Sequence, residues 1–371
     1  MQLKLSIFLR HVFFCLVLFA SAHGVGAVCV PDSAGHSSTR WIRQLIDNRF
    51  AIHDSTIYYP AFPRFVLNVY NWGDRTFNSY EKDYVVGTGM NWKLQAKTYG
   101  WLESQTMFFP KNSRLSMHSN LFMDAGAYIS FMAVSVGYMW NMDKLFDRDT
   151  KRRTFNFDFT CSRFSINYSK VSSEGGMILT HLGDYNDGRD FRYDFDAVDI
   201  SATNIDAYYF FNNRRYSHAA AYSFSKYQLR TAGTAIVGIN LAEQNISMDF
   251  SGLPPDMLNY LPLENPSYTF HHRDIAALGG YGRNWVLKPR RWLLNLTAMG
   301  ALGYKRTLEN ATDGKRNLIA NNYKVSLSAV YNHRKLFASA QARFNGSLYF
   351  NSSFTHFSSF SSLTLIVGMR F

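Results

Sequence analysis

The chain has 371 residues, of which 18% are charged and 16% aromatic, with Tyr and Phe dominating the aromatics. Typical soluble domains carry about 25% charged residues, so this balance favours a large β-sandwich or a membrane β-barrel over an ordinary soluble protein. The formal net charge of +12 is scattered along the chain, with no basic helix and no basic stripe interleaved with stacking aromatics, which argues against a nucleic-acid partner.

At the N-terminus, Lys4 and Arg10 precede an apolar run from Val12 to Ala20, followed by the small-residue site Ala20-Ser21-Ala22. That is the layout of a cleaved secretory signal, and the run is about half the ~20 residues a membrane-spanning helix needs. Residues 1–22 are therefore set apart from the fold. Residues 23–62 lack strand periodicity and read as a periplasmic extension. Within it, Trp41, Ile42, Leu45 and Ile46 lie at helical spacing behind Ser38 as a cap. Cys15 leaves with the signal, and whether Cys29 and Cys161 pair in an oxidising compartment stays open. No later apolar run is long enough for a helical membrane span.

From residue 63 onward a period of two dominates. Phe155, Phe157 and Phe159 alternate with Asn156, Asp158 and Thr160; Tyr323, Val325, Leu327, Ala329 and Tyr331 alternate with Lys324, Ser326 and Ser328; Leu336, Ala338, Ala340, Ala342 and Phe344 alternate with Ser339, Gln341 and Arg343. A period of two means strand with one apolar face. The segments run roughly 8 to 14 residues, longer than globular strands and close to what a tilted strand needs to cross hydrocarbon. Very short basic connections (161–163, 212–215, 288–291, 332–335) alternate with long ones (141–151, 173–197, 230–273, 306–318, 350–357). The reading predicts strands near 63–72, 85–97, 100–109, 115–123, 127–140, 152–160, 163–172, 198–211, 216–229, 274–287, 291–305, 319–332, 335–349 and 358–371, with turns at 97–99 and 124–126. Ala232 to Leu241 stands as an alternative strand inside the longest loop.

The expected fold is all-β: a transmembrane antiparallel up-and-down β-barrel of residues 63–371 with about 14 strands, twelve to sixteen being open, behind a short helical extension. An even count puts both termini in the periplasm of a bacterial outer membrane. The last strand shows why the chain needs no polar tail. Leu363, Leu365, Val367 and Met369 face lipid, and an unpaired edge in hydrocarbon would cost several kcal/mol per backbone group, so this strand must close onto the first. The terminal Phe371, with Met369, resembles the signal read by bacterial barrel-assembly machinery, a partner during biogenesis alongside outer-membrane lipids. The other parity assigns Asp158, Lys324, Gln341, Arg343 and Arg370 to the lumen, as it does Asn295.

Four stretches, "SNLFMDAGAYISFMAVSVGYMWN" (119–141), "FNFDFTCSRFSINYSK" (155–170), "NRRYSHAAAYSFSKYQLRTAGTAIVG" (213–238) and "WLLNLTAMGALGYKR" (292–306), resemble the domain of unknown function 4421 family, outer-membrane proteins of Bacteroides-type bacteria. The resemblance covers about residues 60–371. Its tokens are Tyr-Ser-x-Ala-Ala (216–220) and Gln-x-x-x-Ala-Gly-x (228–234), with Thr231 and Thr234 standing where the family pattern has Ser. It implies location and fold, and brings no activity, cofactor or catalytic residue with it.

Chemistry-bearing clusters are few. Ser217 and His218 are neighbours whose side chains would point to opposite faces of a strand, so the nucleophile-base contact that catalysis needs is missing. His271, His272 and Asp274, placed where a long loop enters a strand, form a speculative loop site for a metal or a lipid headgroup. The acidic run around His181, Asp184, Asp187 and Asp190 lacks EF-hand spacing. No cofactor or metal is expected. The leading reading is a non-catalytic small channel or a structural or accessory membrane protein. The alternatives are a lipid hydrolase or acyltransferase, and a binding protein acting through the 173–197 and 230–273 loops. Oligomeric state is not readable.

Overall fold

Alternation governs the observed strands. The computed structural model describes residues 79–371 except 91, 132–133, 143–150, 264, 315 and 351–353, together with scattered positions between 41 and 68. In β14 (Trp292–Thr307), outward Ala298, Gly300, Leu302 and Tyr304 alternate with buried Thr297, Met299, Ala301 and Lys305. The same rhythm runs through β15 (Asn317–His333), β16 (Leu336–Phe350) and β17 (Thr355–Arg370). The remaining strands are β1 (Val85–Gly87), β2 (Trp92–Phe108), β3 (Arg114–Ser119), β4 (Phe122–Phe131), β5 (Val134–Asn141), β6 (Lys151–Thr160), β7 (Phe164–Glu174), β8 (Met177–Leu182), β9 (Tyr193–Phe195), β10 (Val198–Phe210), β11 (Lys226–Gln228), β12 (Ala232–Asp249) and β13 (Ser267–Lys288).

One antiparallel sheet of 15 strands holds all of them except β1 and β11, which pair with each other. Removing β3, β8 and β9, which leave the wall as a three-stranded extension, gives twelve wall strands among the described residues. The path runs from β5 through β4 and β2 to β17, where Leu365 lies opposite Thr98, and on through β16, β15, β14, β13, β12, β10 and β7 to β6. Arg152 of β6 joins the two ends of this path: its guanidinium donates to Asn141 of β5 (3.1 Å), to Asp124 of β4 (2.9 Å) and to the Met123 carbonyl (3.0 Å). Contacts across the interior, such as Lys324 of β15 with Asp206 of β10, confirm that the sheet curls into a barrel.

The outer face identifies its solvent. Ile275, Leu302, Ile319 and Val367 each leave more than 60% of their surface exposed (61, 65, 68 and 62%). An exposed apolar belt of this kind around an antiparallel wall is a lipid-facing surface. On β13 the belt extends from Ile275 to Leu287, interrupted by the exposed Arg283, whose guanidinium lies 5.6 Å from the Trp285 ring centroid. At about 3.3 Å per residue this is roughly 40 Å of strand, or about 30 Å of bilayer at a tilt of ~40°. Beyond it the outward positions turn polar, with Arg273 bonded to Glu243 at 2.8 Å, so the barrel rises past the membrane at the long-loop end. There β3, β8 and β9 pack over an apolar core that includes Met107, Leu115, Leu179, Ile246, Phe250 and Phe270. The Gly175-Gly176 turn (φ 71° and 74°) lets β7 pass directly into β8.

Several predicted elements need correction. Residues 64, 65, 67 and 68 are helical within the predicted 63–72 strand, and the other residues of that span lie outside the described ones. No turn falls at 97–99: β2 passes straight through Tyr99 and Gly100, because both fit strand positions, one inward and one outward. No turn falls at 124–126 either. Ala125, Gly126 and Ala127 lie inside β4, opposite Lys97 and its neighbours, and the small residues read as a turn are part of the wall. Residues 216–229 form no wall strand. They contain α1 (His218–Tyr222), because Ser217 caps the Ala220 amide and three alanines follow. The wall strand is β12, over and beyond the Ala232–Leu241 alternative. The chain separates into two units, Met1–Thr76 and Phe77–Phe371. In the first, Trp41, Arg43 and Gln44 are helical, while residues 1–22, predicted to be a signal segment, and most of 23–62 lie outside the described residues.

Candidate functional site

The connection from β10 to β12, residues 211–231, leaves the short-turn end and folds into the lumen as a strap. Its local sequence makes this possible. Ser217 accepts from the Ala220 amide at 3.2 Å, and Ala219, Ala220 and Ala221 form a helix face small enough to sit inside a barrel. Phe224, with φ of 57°, then packs on Phe337 at 4.8 Å between ring centroids. Leu293, Val330 and Ile366 of the wall complete this apolar contact.

Polar side chains of the wall hold the strap. Arg370 of β17 donates to the Phe224 carbonyl (2.9 Å) and to Asn332 (2.7 Å), and its guanidinium lies 4.3 Å from the Phe337 ring centroid. Lys93 donates to the Ser223 carbonyl at 2.6 Å, and Ser328 to the Ala221 carbonyl at 2.8 Å. The buried Gln228 is the centre of a second set. Its oxygen accepts from the Ser217 amide (2.9 Å) and from Asn284 (3.0 Å), and its nitrogen donates to the Arg215 (2.5 Å) and Arg230 (2.9 Å) carbonyls. Asn284 in turn donates to the Ser217 carbonyl and accepts from Asn295, which also donates to the Tyr216 hydroxyl. The two segments that carry the family resemblance, 216–220 and 228–234, therefore meet in one buried network.

Further along the lumen the charges are paired. Lys324 donates to Asp206 at 2.7 Å, and Asp206 also accepts from Asn204 (2.8 Å) and Asn240 (2.7 Å). Arg343 lies 3.7 Å from Asp158, with 37% and 46% of their side chains exposed. Gln341 is buried nearby on the same inward parity of β16. Nearer the long-loop end, Lys305 is 3.3 Å from Asp274 and 3.2 Å from His272, and His356 meets Gln105 at 2.7 Å. Above that layer the apolar core of the extension fills the interior, with Phe195 stacked on Phe250 at 5.0 Å.

The speculative His271, His272 and Asp274 group is divided by the wall. All three belong to β13, which starts at Ser267, so they do not form a loop site. His271 faces outward to Glu243 (3.2 Å) and Asn310 (2.5 Å), while His272 and Asp274 are buried inside. Neighbouring strand residues point to opposite faces, so the two histidines cannot share a metal. Ser217 and His218 are in the strap, not beside a turn. His218 bonds the Tyr216 hydroxyl at 3.2 Å and lies between the Phe210 and Tyr222 rings, while Ser217 is used as a cap. His181 and Arg114 both hold Asp190, at 3.0 and 2.9 Å. Among the described residues no three His, Cys, Asp or Glu side chains form a metal-sized group. Cys161 is a buried free thiol, and Cys29 lies outside the described residues. Met369 lies opposite Leu336, and the Phe371 amide donates to the Trp92 carbonyl, which ties the last residue to the start of β2.

The family model described as Domain of unknown function (DUF4421) matches residues 80–371. The chain belongs to this family. The DUF4421 match begins just before β1 and takes in the whole barrel and its strap. A comparison with curated proteins found no match. Among solved structures, the chain is similar to the outer membrane protease OmpT of Escherichia coli (TM-score 0.35, 9% identity, 77% of this chain and 98% of that one). It is also similar to the toluene transporter TodX of P. putida (0.22, 6%, 76% and 90%) and to the beta domain of the Bordetella autotransporter BrkA (0.25, 8%, 76% and 99%). At these levels no role passes from them to this DUF4421 barrel.

The sequence reading missed Gln228, Asn284, Asp206 and Asn240 as lumen residues. Asp206, Asn240 and Asn284 carried a usable signal, an uncharged amide or a carboxylate at the inward parity of an otherwise apolar strand. Gln228 carried none, because its strand assignment was wrong.

Proposed function

We propose that this chain is an integral protein of the bacterial outer membrane with a non-catalytic role, closed to free passage in the state described here. The observation that carries the reading is the strap. Residues 211–231 occupy the lumen at one end, held by Arg370, Lys93, Gln228, Asn284 and Asn295, and the apolar core around Phe250 fills the other. The paired Lys324–Asp206 and Lys305–Asp274 groups between them suit a closed polar core better than an open channel lining. In the bilayer the short turns and both termini of the barrel face the periplasm, and the extension of β3, β8 and β9 faces outside. A hydrolase or acyltransferase reading draws less support from the geometry, because the Asp190–His181 pair at the outer rim is taken up by an ion pair with Arg114. A second reading, a surface-binding role for the extension, is favoured by its rise above the lipid belt.

Planar-bilayer reconstitution of the full chain tests the closed reading. Absence of conductance steps across voltage and salt is expected. Discrete, sustained steps from the unmodified chain would overturn it. Deleting the 184–190 loop without loss of phenotype would remove the surface-binding alternative.

A further inference from the structure

The cations scattered along the sequence gather in space. The short connections Cys161-Ser162-Arg163, Lys288-Pro289-Arg290-Arg291 and His333-Arg334-Lys335, and Asn212-Asn213-Arg214-Arg215 at the foot of the strap, contain no carboxylate and all lie at one end of the barrel. Arg214, Lys288, Arg290, Arg291, Arg334 and Lys335 are exposed there. Arg215 at the same end is compensated by Glu81 at 2.8 Å. Arg290 and Arg334 hold positive φ (58° and 52°) at the tips of their turns, so tight turns keep these charges close to the wall.

Depth is fixed by the aromatics beside them. Trp292 follows Arg291 directly and packs on Tyr331 at 4.7 Å, and Leu287 and Leu336 flank the same turns as exposed apolar residues. Trp and Tyr settle at the membrane-water interface. Cations two or three residues beyond them lie within about 10 Å of the last apolar side chain, which is the headgroup layer. A soluble partner would need charges that project further from the membrane.

We infer that this rim binds the phosphate groups of anionic phospholipids in the leaflet at the short-turn end, and so gives the barrel a shell of selected lipid. Arginine matches phosphate with a planar pair of donors, and each cation near a charged surface raises binding by roughly fivefold, in a salt-dependent way. The inference rests on the transmembrane fold and is independent of whether the lumen conducts.

The test is native mass spectrometry of the full chain, released from detergent in the presence of equal phosphatidylglycerol and phosphatidylcholine. The variant is K288Q/R290N/R291Q/R334N/K335Q; Asn suits the left-handed turn positions. The unmodified chain is expected to retain phosphatidylglycerol by at least about tenfold over phosphatidylcholine, and the variant to approach parity with an unchanged thermal transition. The triple K288Q/R290N/R291Q and double R334N/K335Q variants, each a smaller perturbation, should show intermediate preference. R306Q, at the opposite rim, should leave it unchanged. Equal preference in the chain and the five-site variant would overturn the inference, as would an equal loss in R306Q. So would a finding that the same cations take soluble polyglutamate in preference to phosphatidylglycerol, which would assign the rim to a soluble polyanion.

Discussion

Gln228→Leu is expected to release the strap while leaving the barrel standing. Gln228 makes four hydrogen bonds, two of them to the fully buried Ser217 amide and Asn284 side chain. Its other two partners, the Arg215 and Arg230 carbonyls, belong to exposed residues at the rim and can turn to water. Leucine fills a similar volume but leaves two buried N–H groups without acceptors. At ~1–3 kcal/mol for each such group the strap loses about 4 kcal/mol, within a range of roughly 2–6. That is a shift of about a thousandfold in the ratio of docked to undocked strap. The wall ladder from β10 to β12, which joins Phe210 to Ile236 across the base of the strap, does not involve Gln228. Hydrogen exchange of the 217–224 amides should therefore accelerate by about that factor, while the amides of β13 and β14 stay protected. Planar bilayers should record brief openings absent from the unmodified chain. If the strap amides exchange at their original rate, or the whole barrel loses protection together, the network is not what holds the strap.

Asp206→Asn should destabilise the barrel by about 3–5 kcal/mol, because it leaves Lys324 as an uncompensated buried charge; the double change with Lys324→Met should recover most of that, as read by thermal unfolding in detergent. Phe250→Ala should cost about 3–5 kcal/mol locally, seen as faster proteolysis between 251 and 263 with the wall intact. Leu365→Arg, on the lipid-facing parity of β17, should cost ~2–4 kcal/mol near the midplane, measured by refolding into vesicles. Finally, Asp190 is held below the usual carboxylate range, first by its hydrogen bond from His181 and then by Arg114. A depressed carboxylate contributes stability above its unfolded value of about 3.9 and loses it as pH falls through the lower folded value. Exchange protection of 180–191 should thus hold from neutral pH to about 5 and decline in acid, with Asp190→Asn removing the pH dependence.

Gly100 and the Ala125-Gly126-Ala127 run show why strand boundaries escaped the sequence. In a soluble sheet small residues mark turns, whereas in this wall they are ordinary lipid-facing or close-packed positions. The strap escaped for a related reason. "YSHAAAYSFSKYQ" places Tyr216, His218, Ala220 and Tyr222 at a period of two, and only the enclosing wall, with Asn284, Asn295 and Arg370 aimed inward, makes a capped helical turn the better use of those residues.

What the amino-acid order determined by itself was the kind of surface this protein must build. Alternating apolar and polar positions and strands long enough to cross hydrocarbon force a closed antiparallel wall, since lipid offers no partner for an open edge. What only the tertiary structure decided was the content of the lumen. Whether inward polar side chains line water or bind one another depends on which of them face each other across the barrel. That depends on register and closure, which bring Asp206 to Lys324 and Gln228 to Asn284 from strands far apart in sequence.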